Sequence, residues 1–440
     1  MKVGIDSLTF DVPKLHLPIK ILAENRNIEP EKLIKGLGLY KMTFPDVHQD
    51  VVTFAANAVY KLIQQEQLNP SEIARIYIGT ESGVDSSKPV ASYVSALIEQ
   101  QLGHGALRHC DTLDMTFACI GAVDALQNSL DFIRLNPTKK AIVVAGDTAK
   151  YDLDSTGEYT QGAGAIAMLI TANPRVISFT QEVGVSSKGV FDFFKPRRSI
   201  SKNELLNTVD NPEWNGILEN EITFYKEQPV FDGQYSNQCY ISRITEAYAH
   251  YKEITQQNEI LFHNWENILM HLPYCFQARR TFIEIYASEL KLVEDTKTLS
   301  KSPEYLELVH QKIMPSERAS GQVGNIYTGS IFLGLLSTLC HHFQNQTDVI
   351  GRKLGFIAYG SGSKSKVFEG QIESEWQSVI QNIPLFETLD TSHEIDFETY
   401  LALHKKEQKT SIVTPNNEFV LQSIERENPF LLGARYYEFV

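Results

Sequence analysis

The run ARIYIG, Ala74 to Gly79, followed at once by Thr80, Glu81, Ser82 and Gly83, decides how the rest of the chain is read. Its β-branched and aromatic residues favour an extended strand, and the change to small polar residues ends that strand on a carboxylate. Three more runs have the same form: AIVVAG (141–146), NILMHL (267–272) and KLGFIAY (353–359). Two fall in each half of the chain. Between them lie segments with apolar residues at three- and four-residue spacing. HQDVVTFAANAVYKLIQQ, His48 to Gln65, is one, and Cys119, Val123, Leu126, Leu130 and Ile133 mark another. Strands alternating with helices of this length predict an α/β protein with parallel sheets covered by helices, and functional groups at the carboxyl ends of the strands. That places chemistry at TES (80–82), ACI (118–120), HLPYC (271–275) and YGSGS (359–363).

The 440 residues are 42% apolar and 21% charged, enough for a large core in one large or two fused domains. The start, MKVGIDSL, lacks the cationic and apolar segments of a signal peptide, and no eighteen apolar residues run together. A soluble, cytoplasmic protein is expected. A formal net charge of -14 repels nucleic-acid phosphates, so nucleic-acid binding is not expected and any basic site for an anionic substrate is local. The five cysteines (Cys110, Cys119, Cys239, Cys275, Cys340) form no C-x-x-C pair, which argues against zinc, an iron-sulfur cluster or a redox disulfide. Arg197 to Gln228, polar and rich in Asn and Glu, breaks the α/β pattern and reads as a surface insertion.

Cys119 sits in DMTFACIGAVDALQNSL, with Thr116 as the expected N-cap and the thiol in the first helical turn. There the helix dipole would lower its pKa and arm it as a nucleophile; equally, a lone cysteine is a small buried hydrophobe. Glu81, at a strand's end, is either a desolvated general base or a turn carboxylate. His271 is delivered to a strand end before Pro273, where imidazole can donate to a carbonyl or move a proton. His341 and His342, late in an apolar helical run, read as structural. GNIYTGS (324–330), with Asn325, and YGSGS, with Ser361, are glycine-rich turns able to present backbone N-H groups to an oxyanion. Neither fits a P-loop or a dinucleotide fingerprint.

Nine blocks in order carry a resemblance: VGIDSLTFDVP (3–13), IGTESGVDSSK (78–88), TFACIGAVDAL (116–126), GDTAKYDLDSTGEYTQGAGAIAML (146–169), FDFFKP (191–196), PVFDGQYSNQCYISR (229–243), HLPYC, VGNIYTGS (323–330) and AYGSGS (358–363). The chain resembles the 3-hydroxy-3-methylglutaryl-CoA synthases, bacterial type, across nearly its whole length. The resemblance implies a thiolase-like α/β fold of duplicated βαβαβ halves in a five-layered αβαβα arrangement. The halves would be 1–172, with the nucleophilic cysteine, and 173–440, with the catalytic histidine and the insertion near 197–228. It also implies a homodimer, a place in the mevalonate route to isoprenoids, and no metal or cofactor beyond the coenzyme A of the substrates.

By the same resemblance, Cys119 takes an acetyl group from acetyl-CoA and Glu81 deprotonates the acetyl methyl. The enolate attacks the ketone of acetoacetyl-CoA, held by His271, and water releases the product. The N-H groups of Cys119 and Ser361 would form the oxyanion hole, and Asn325 would orient the acetoacetyl group. Tyr151, Thr160 and Ser236 would line the substrate and its pantetheine arm, and Arg280 would serve the coenzyme A end. Two features depart from the family: Phe276 stands where a lysine is common, and the connection between Pro196 and Pro229 is longer. Both bear on an alternative, a β-branching synthase whose β-ketoacyl chain rides on an acyl carrier protein, with Lys195, Arg197 and Arg198 as a basic dock. A non-catalytic binding protein of the same fold is a third reading, opposed by the joint presence of Cys119, Glu81 and His271.

Overall fold

The computed structural model describes residues 1–206 and 220–440. Three of the four runs singled out above are strands throughout, and NILMHL is one as far as Met270. With the others they form a ten-stranded sheet: β1 (Val3–Asp11), β2 (Ile73–Gly79), β3 (Asp111–Met115), β4 (Lys140–Thr148), β5 (Ala163–Ala172), β6 (Ile177–Phe179), β7 (Gly184–Ser187), β8 (Trp265–Met270), β9 (Lys353–Gly360) and β10 (Lys364–Ile372). The order is β8-β9-β10-β6-β1-β5-β4-β2-β3, with β7 also on β10. Short β6 joins the halves, pairing with β1 on one side and β10 on the other.

Alternation along the strands builds five layers from this one ladder. In the first half Ala141, Val143 and Ala145 face an inner cluster, while Ile142 and Val144 face an outer one. In the second half Leu354, Phe356 and Ala358 face the same inner cluster, and Ile357 and Tyr359 face a third. Helices α1 (Val51–Gln65) and α2 (Val90–Leu102) cover the outside of the first half. Helix α3 (Gly121–Leu135) lies in the middle. Helices α4 (Gly233–Thr255) and α5 (Gln277–Glu289) cover the outside of the second half. The central layer is completed by α6 (Met314–Val323) and α7 (Ser330–Gln344), and α7 is buried along nearly its whole length. No helix among the described residues is long and apolar enough to cross a membrane.

The expected parallel sheets are mixed ones. β2 lies parallel to β3 and β4, and β8 to β9, but β1, β5 and β10 run antiparallel to their neighbours. The physical reason is plainest at β9 and β10: the three residues between them close a hairpin and leave no room for a crossover. The described ends of the insertion pair as a two-stranded ribbon, Arg198–Ser201 against Glu221–Phe224, separate from the main sheet, and a short helix, Lys202–Leu206, follows the first strand. Its return leg is tied to the body, Lys226 to Asp152 at 2.7 Å and Glu227 to both Lys150 and Lys406 at 3.6 Å. The expected insertion's residues 207–219 lie outside the described residues.

Two strand ends from opposite halves grip the turn that precedes α3. A Cβ on Gly79 would stand 2.1 Å from the Ala122 backbone nitrogen; one on Gly360 would stand 2.7 Å from the Phe117 carbonyl oxygen. Only glycine permits such approaches. Between them Ala118 has φ of +40°, a left-handed conformation that costs about 1–3 kcal/mol and is held by its surroundings. Gly360→Ala should therefore destabilise the protein by about 1–3 kcal/mol in denaturant unfolding. Gly36→Ala, where a Cβ meets nothing within 4 Å, should not destabilise it.

Candidate active site

The gripped turn presents Cys119, 8% exposed, just before α3 rather than inside it. The expected N-cap is corrected accordingly. Thr116 donates its hydroxyl to the Thr80 carbonyl at 2.9 Å, and Ile120 occupies the N-cap position without a side-chain cap. The expected fall in thiol pKa is reversed as well. Burial, and then the Glu81 carboxylate, push the Cys119 thiol well above its ordinary value. A helix end offers about half a positive charge, which a full carboxylate in hydrogen-bond contact outweighs. At rest Cys119 is a neutral thiol whose Sγ donates to Glu81 Oε1 at 3.2 Å.

Glu81 has a second partner. Its Oε2 lies 3.1 Å from Lys195 Nζ, and the two side chains are only 7% and 10% exposed. Lys195 was expected in a surface dock; it is instead inside, its ammonium 4.3 Å from the Tyr327 ring centroid. Below Glu81 lies Asp147, fully buried at the end of β4. It accepts from the Thr80 hydroxyl and the Glu81 N-H at 2.8 Å, and from the Thr328 N-H at 3.0 Å and hydroxyl at 2.6 Å. Burial and the neighbouring Glu81 charge raise its carboxyl to about 6. Thr328 belongs to GNIYTGS, so Asp147 ties the strand that leads to Glu81 to the second half.

His271 follows β8 directly. Its carbonyl accepts from the Tyr240 hydroxyl at 2.8 Å, and the two rings stack at 6.4 Å between centroids. Nδ1 is buried with no partner among the described residues. Burial pushes its pKa down to about 3, so the ring is neutral at working pH. Asn325 Oδ1 accepts from the Tyr327 N-H at 2.8 Å and the Ser330 hydroxyl at 3.0 Å, and its backbone N-H donates to Thr160.

Cys119, His271, Asn325, Ser361, Tyr151, Thr160, Ser236 and Arg280 all line one cavity of about 490 Å³. Glu81 stands behind the thiol. Around the thiol the walls are aromatic: Tyr151 and Tyr327, with Phe193 and Phe231 packed against them. Arg280, exposed at the mouth, donates to the Gly36 carbonyl at 2.7 Å. Phe276 lies under the Arg279 guanidinium, 3.7 Å from ring centroid to carbon, and Arg279 is paired with Glu317. Sequence reasoning missed Asp147 and the inward course of Lys195, and it placed Tyr327 only within the GNIYTGS turn, not as a wall beside the thiol. Asp147 had a signal: it ends AIVVAG as Glu81 ends ARIYIG, and the two strands are paired neighbours.

The model of the hydroxymethylglutaryl-coenzyme A synthase N terminal matches residues 1–175, and that of the C terminal matches residues 293–427. The hydroxymethylglutaryl-CoA synthase of Enterococcus faecalis is 30% identical over 94% of each chain. Among solved structures, MvaS in complex with 3-hydroxy-3-methylglutaryl coenzyme A superposes with a TM-score of 0.82 at 27% identity, covering 100% of this chain and 99% of the other. The curacin biosynthetic pathway HMG synthase in complex with holo donor-ACP shares the fold, with a TM-score of 0.82 at 21% identity and full coverage of both chains.

Asp147→Ala leaves three donors, the Thr80 hydroxyl and the N-H groups of Glu81 and Thr328, without an acceptor, and should cost about 3 kcal/mol or more in denaturant unfolding. Because the folded-state pKa of Asp147 is raised, its contribution is largest below pH 4 and is lost as pH rises through about 6. Asp147→Asn should also destabilise, by about 1–3 kcal/mol, because its amide nitrogen must face one of the two backbone N-H groups that the carboxylate accepts.

Proposed function

The chain belongs to the hydroxymethylglutaryl-CoA synthase family, and from that premise we propose that it condenses acetyl-CoA with acetoacetyl-CoA through an acetyl group carried on Cys119. The observation that carries this reading is the contact of Cys119 Sγ with Glu81 Oε1 beside a cavity that His271 also lines. Cys119 attacks the acetyl thioester; a new S-C bond forms and the bond to coenzyme A breaks. The thiol proton passes to Glu81 and leaves on the sulfur of coenzyme A, so both thiols stay neutral outside the transfer. Ser361 stands beside the Cys119 turn because Gly360 presses on it, and the two backbone N-H groups serve the thioester oxygen.

With the thiol proton gone, Glu81 Oε1 is released to take a proton from the acetyl methyl. The electron pair of that C-H bond becomes the enolate and then the new carbon-carbon bond to the acetoacetyl ketone. Neutral His271 donates to the oxygen that becomes an alkoxide, and the proton lost from the methyl equals the one the alkoxide gains. Water then adds to the Cys119 thioester, freeing a carboxylic acid and restoring the thiol. Asn325, Tyr151, Thr160 and Ser236 hold the acyl groups and the pantetheine arm, and Arg280 holds the coenzyme A end. No metal or further cofactor enters the proposal. A cytoplasmic homodimer in the mevalonate route completes it; β3, the outermost strand, leaves Leu113 42% exposed at the edge a second copy would cover.

One observation favours a second reading, a β-ketoacyl chain delivered by an acyl carrier protein. Phe276 removes a cation, and Arg279 is spent on Glu317, so Arg280 alone of these three faces the cavity. With Lys195 inside, the basic dock reduces to Arg197 and Arg198. Offered acetoacetyl-CoA and acetoacetyl-carrier protein together, the acetylated enzyme should consume the former at least about tenfold faster. Preference for the carrier would establish the second reading.

Acetyl-CoA should add one acetyl mass to the intact protein, and Cys119→Ala should abolish that adduct. Glu81→Ala should acetylate more slowly yet to completion, and lose about 10²–10⁴-fold in condensation. His271→Ala should acetylate at the wild-type rate and lose condensation alone.

A further inference from the structure

FDFFKP ends a short strand at Phe194 that pairs with Val230 and Phe231, and this pairing turns Lys195 into the body of the protein. A buried ammonium is costly unless carboxylates and a ring face compensate it. Here Glu81 Oε2 lies 3.1 Å away and the Tyr327 ring 4.3 Å away. Burial alone would lower the lysine's pKa; the Glu81 charge instead raises it above the ordinary lysine range. The converse also holds. Glu81 sits above the buried Asp147, and Lys195 is the cation that lies against it, so the ammonium offsets the closeness of two carboxyl groups.

A carboxylate has two oxygens, and its use as a base depends on which one faces the reacting carbon. We propose that Lys195 is the positioning residue for Glu81: by holding Oε2 it fixes Oε1 toward Cys119, and therefore toward the methyl of an acetyl group carried there. The proposal rests on the reading of Glu81 as the base. It predicts that Lys195 governs proton removal from the acetyl methyl more than acetyl transfer, because transfer needs only a route for the thiol proton.

The test is open to chemical rescue. Lys195 does not line the Cys119 cavity; it lines a second one of about 480 Å³, with Ser82, Thr148 and Lys150. A small alkylammonium ion entering there reaches the place of the missing Nζ. The measurement follows acetylation of Cys119 by intact mass and, without acetoacetyl-CoA, the exchange of acetyl methyl hydrogens with D2O. Lys195→Ala should acetylate within about tenfold of wild type but lose about a hundredfold in exchange and in kcat, with KM for acetoacetyl-CoA little changed. Ethylammonium should restore exchange by about tenfold, and Lys195→Arg should retain most of it.

Full exchange in Lys195→Ala would overturn the proposal. So would a loss that neither ethylammonium nor Lys195→Arg repairs in protein with a wild-type circular dichroism spectrum. Glu81→Ala in the same assay separates the two layers of the argument. If it exchanges normally, the base is not Glu81 and the underlying reading fails. If it stops exchange while Lys195→Ala does not, only the role of Lys195 fails.

Discussion

The carboxylate of Glu81 is shared between a thiol and an ammonium, and the rest of the molecule is arranged so that this sharing persists. One oxygen accepts from Cys119 at 3.2 Å and the other meets Lys195 at 3.1 Å. With both side chains of the ion pair largely buried, these contacts are stronger than at a surface, and the geometry resists rearrangement. In the proposed reaction the thiol gives its proton to Glu81, and that oxygen is free for the acetyl methyl only once an acyl group has taken the proton's place. On that proposal nucleophile and base act in sequence because they begin as partners.

The fold achieves this by making both halves converge on one turn. Gly79 at the end of β2 and Gly360 at the end of β9 lie against residues 117–122 from two sides, and Ala118 between them is held in a left-handed conformation. Asp147 then locks the arrangement, accepting two donors from the strand of the base and two from Thr328 in the other half. Such a network is expensive to leave incomplete, so it specifies position as well as stability. His271 is the counterpoint: it carries no counter-ion, and burial keeps its ring neutral, the form that donates to an alkoxide without first having to lose a charge.

Much of this was legible in the sequence because strand ends announce themselves. ARIYIG, AIVVAG and KLGFIAY are strands throughout and NILMHL is one as far as Met270, and Glu81, His271 and Ser361 lie one or two residues past three of these strand ends. Three things were not legible. The mixed direction of the sheet depends on how few residues join β9 to β10, which periodicity does not weigh. The pKa of Cys119 depends on burial and on a residue 38 positions away, whereas the local pattern speaks only of a helix end. Lys195 sits among basic residues beside a polar stretch and so reads as surface; only the pairing of Phe193 and Phe194 with Val230 and Phe231 turns it inward.

The measurement that bears most directly on the account uses acetyl-CoA carrying carbon-13 at both acetyl carbons, with unlabelled acetoacetyl-CoA. If the acetyl group travels on Cys119 and is freed by water, both labels appear in the free carboxymethyl arm of 3-hydroxy-3-methylglutaryl-CoA, and the coenzyme A thioester end is unlabelled. Label at the thioester end, or labelled product from Cys119→Ala protein, would contradict it.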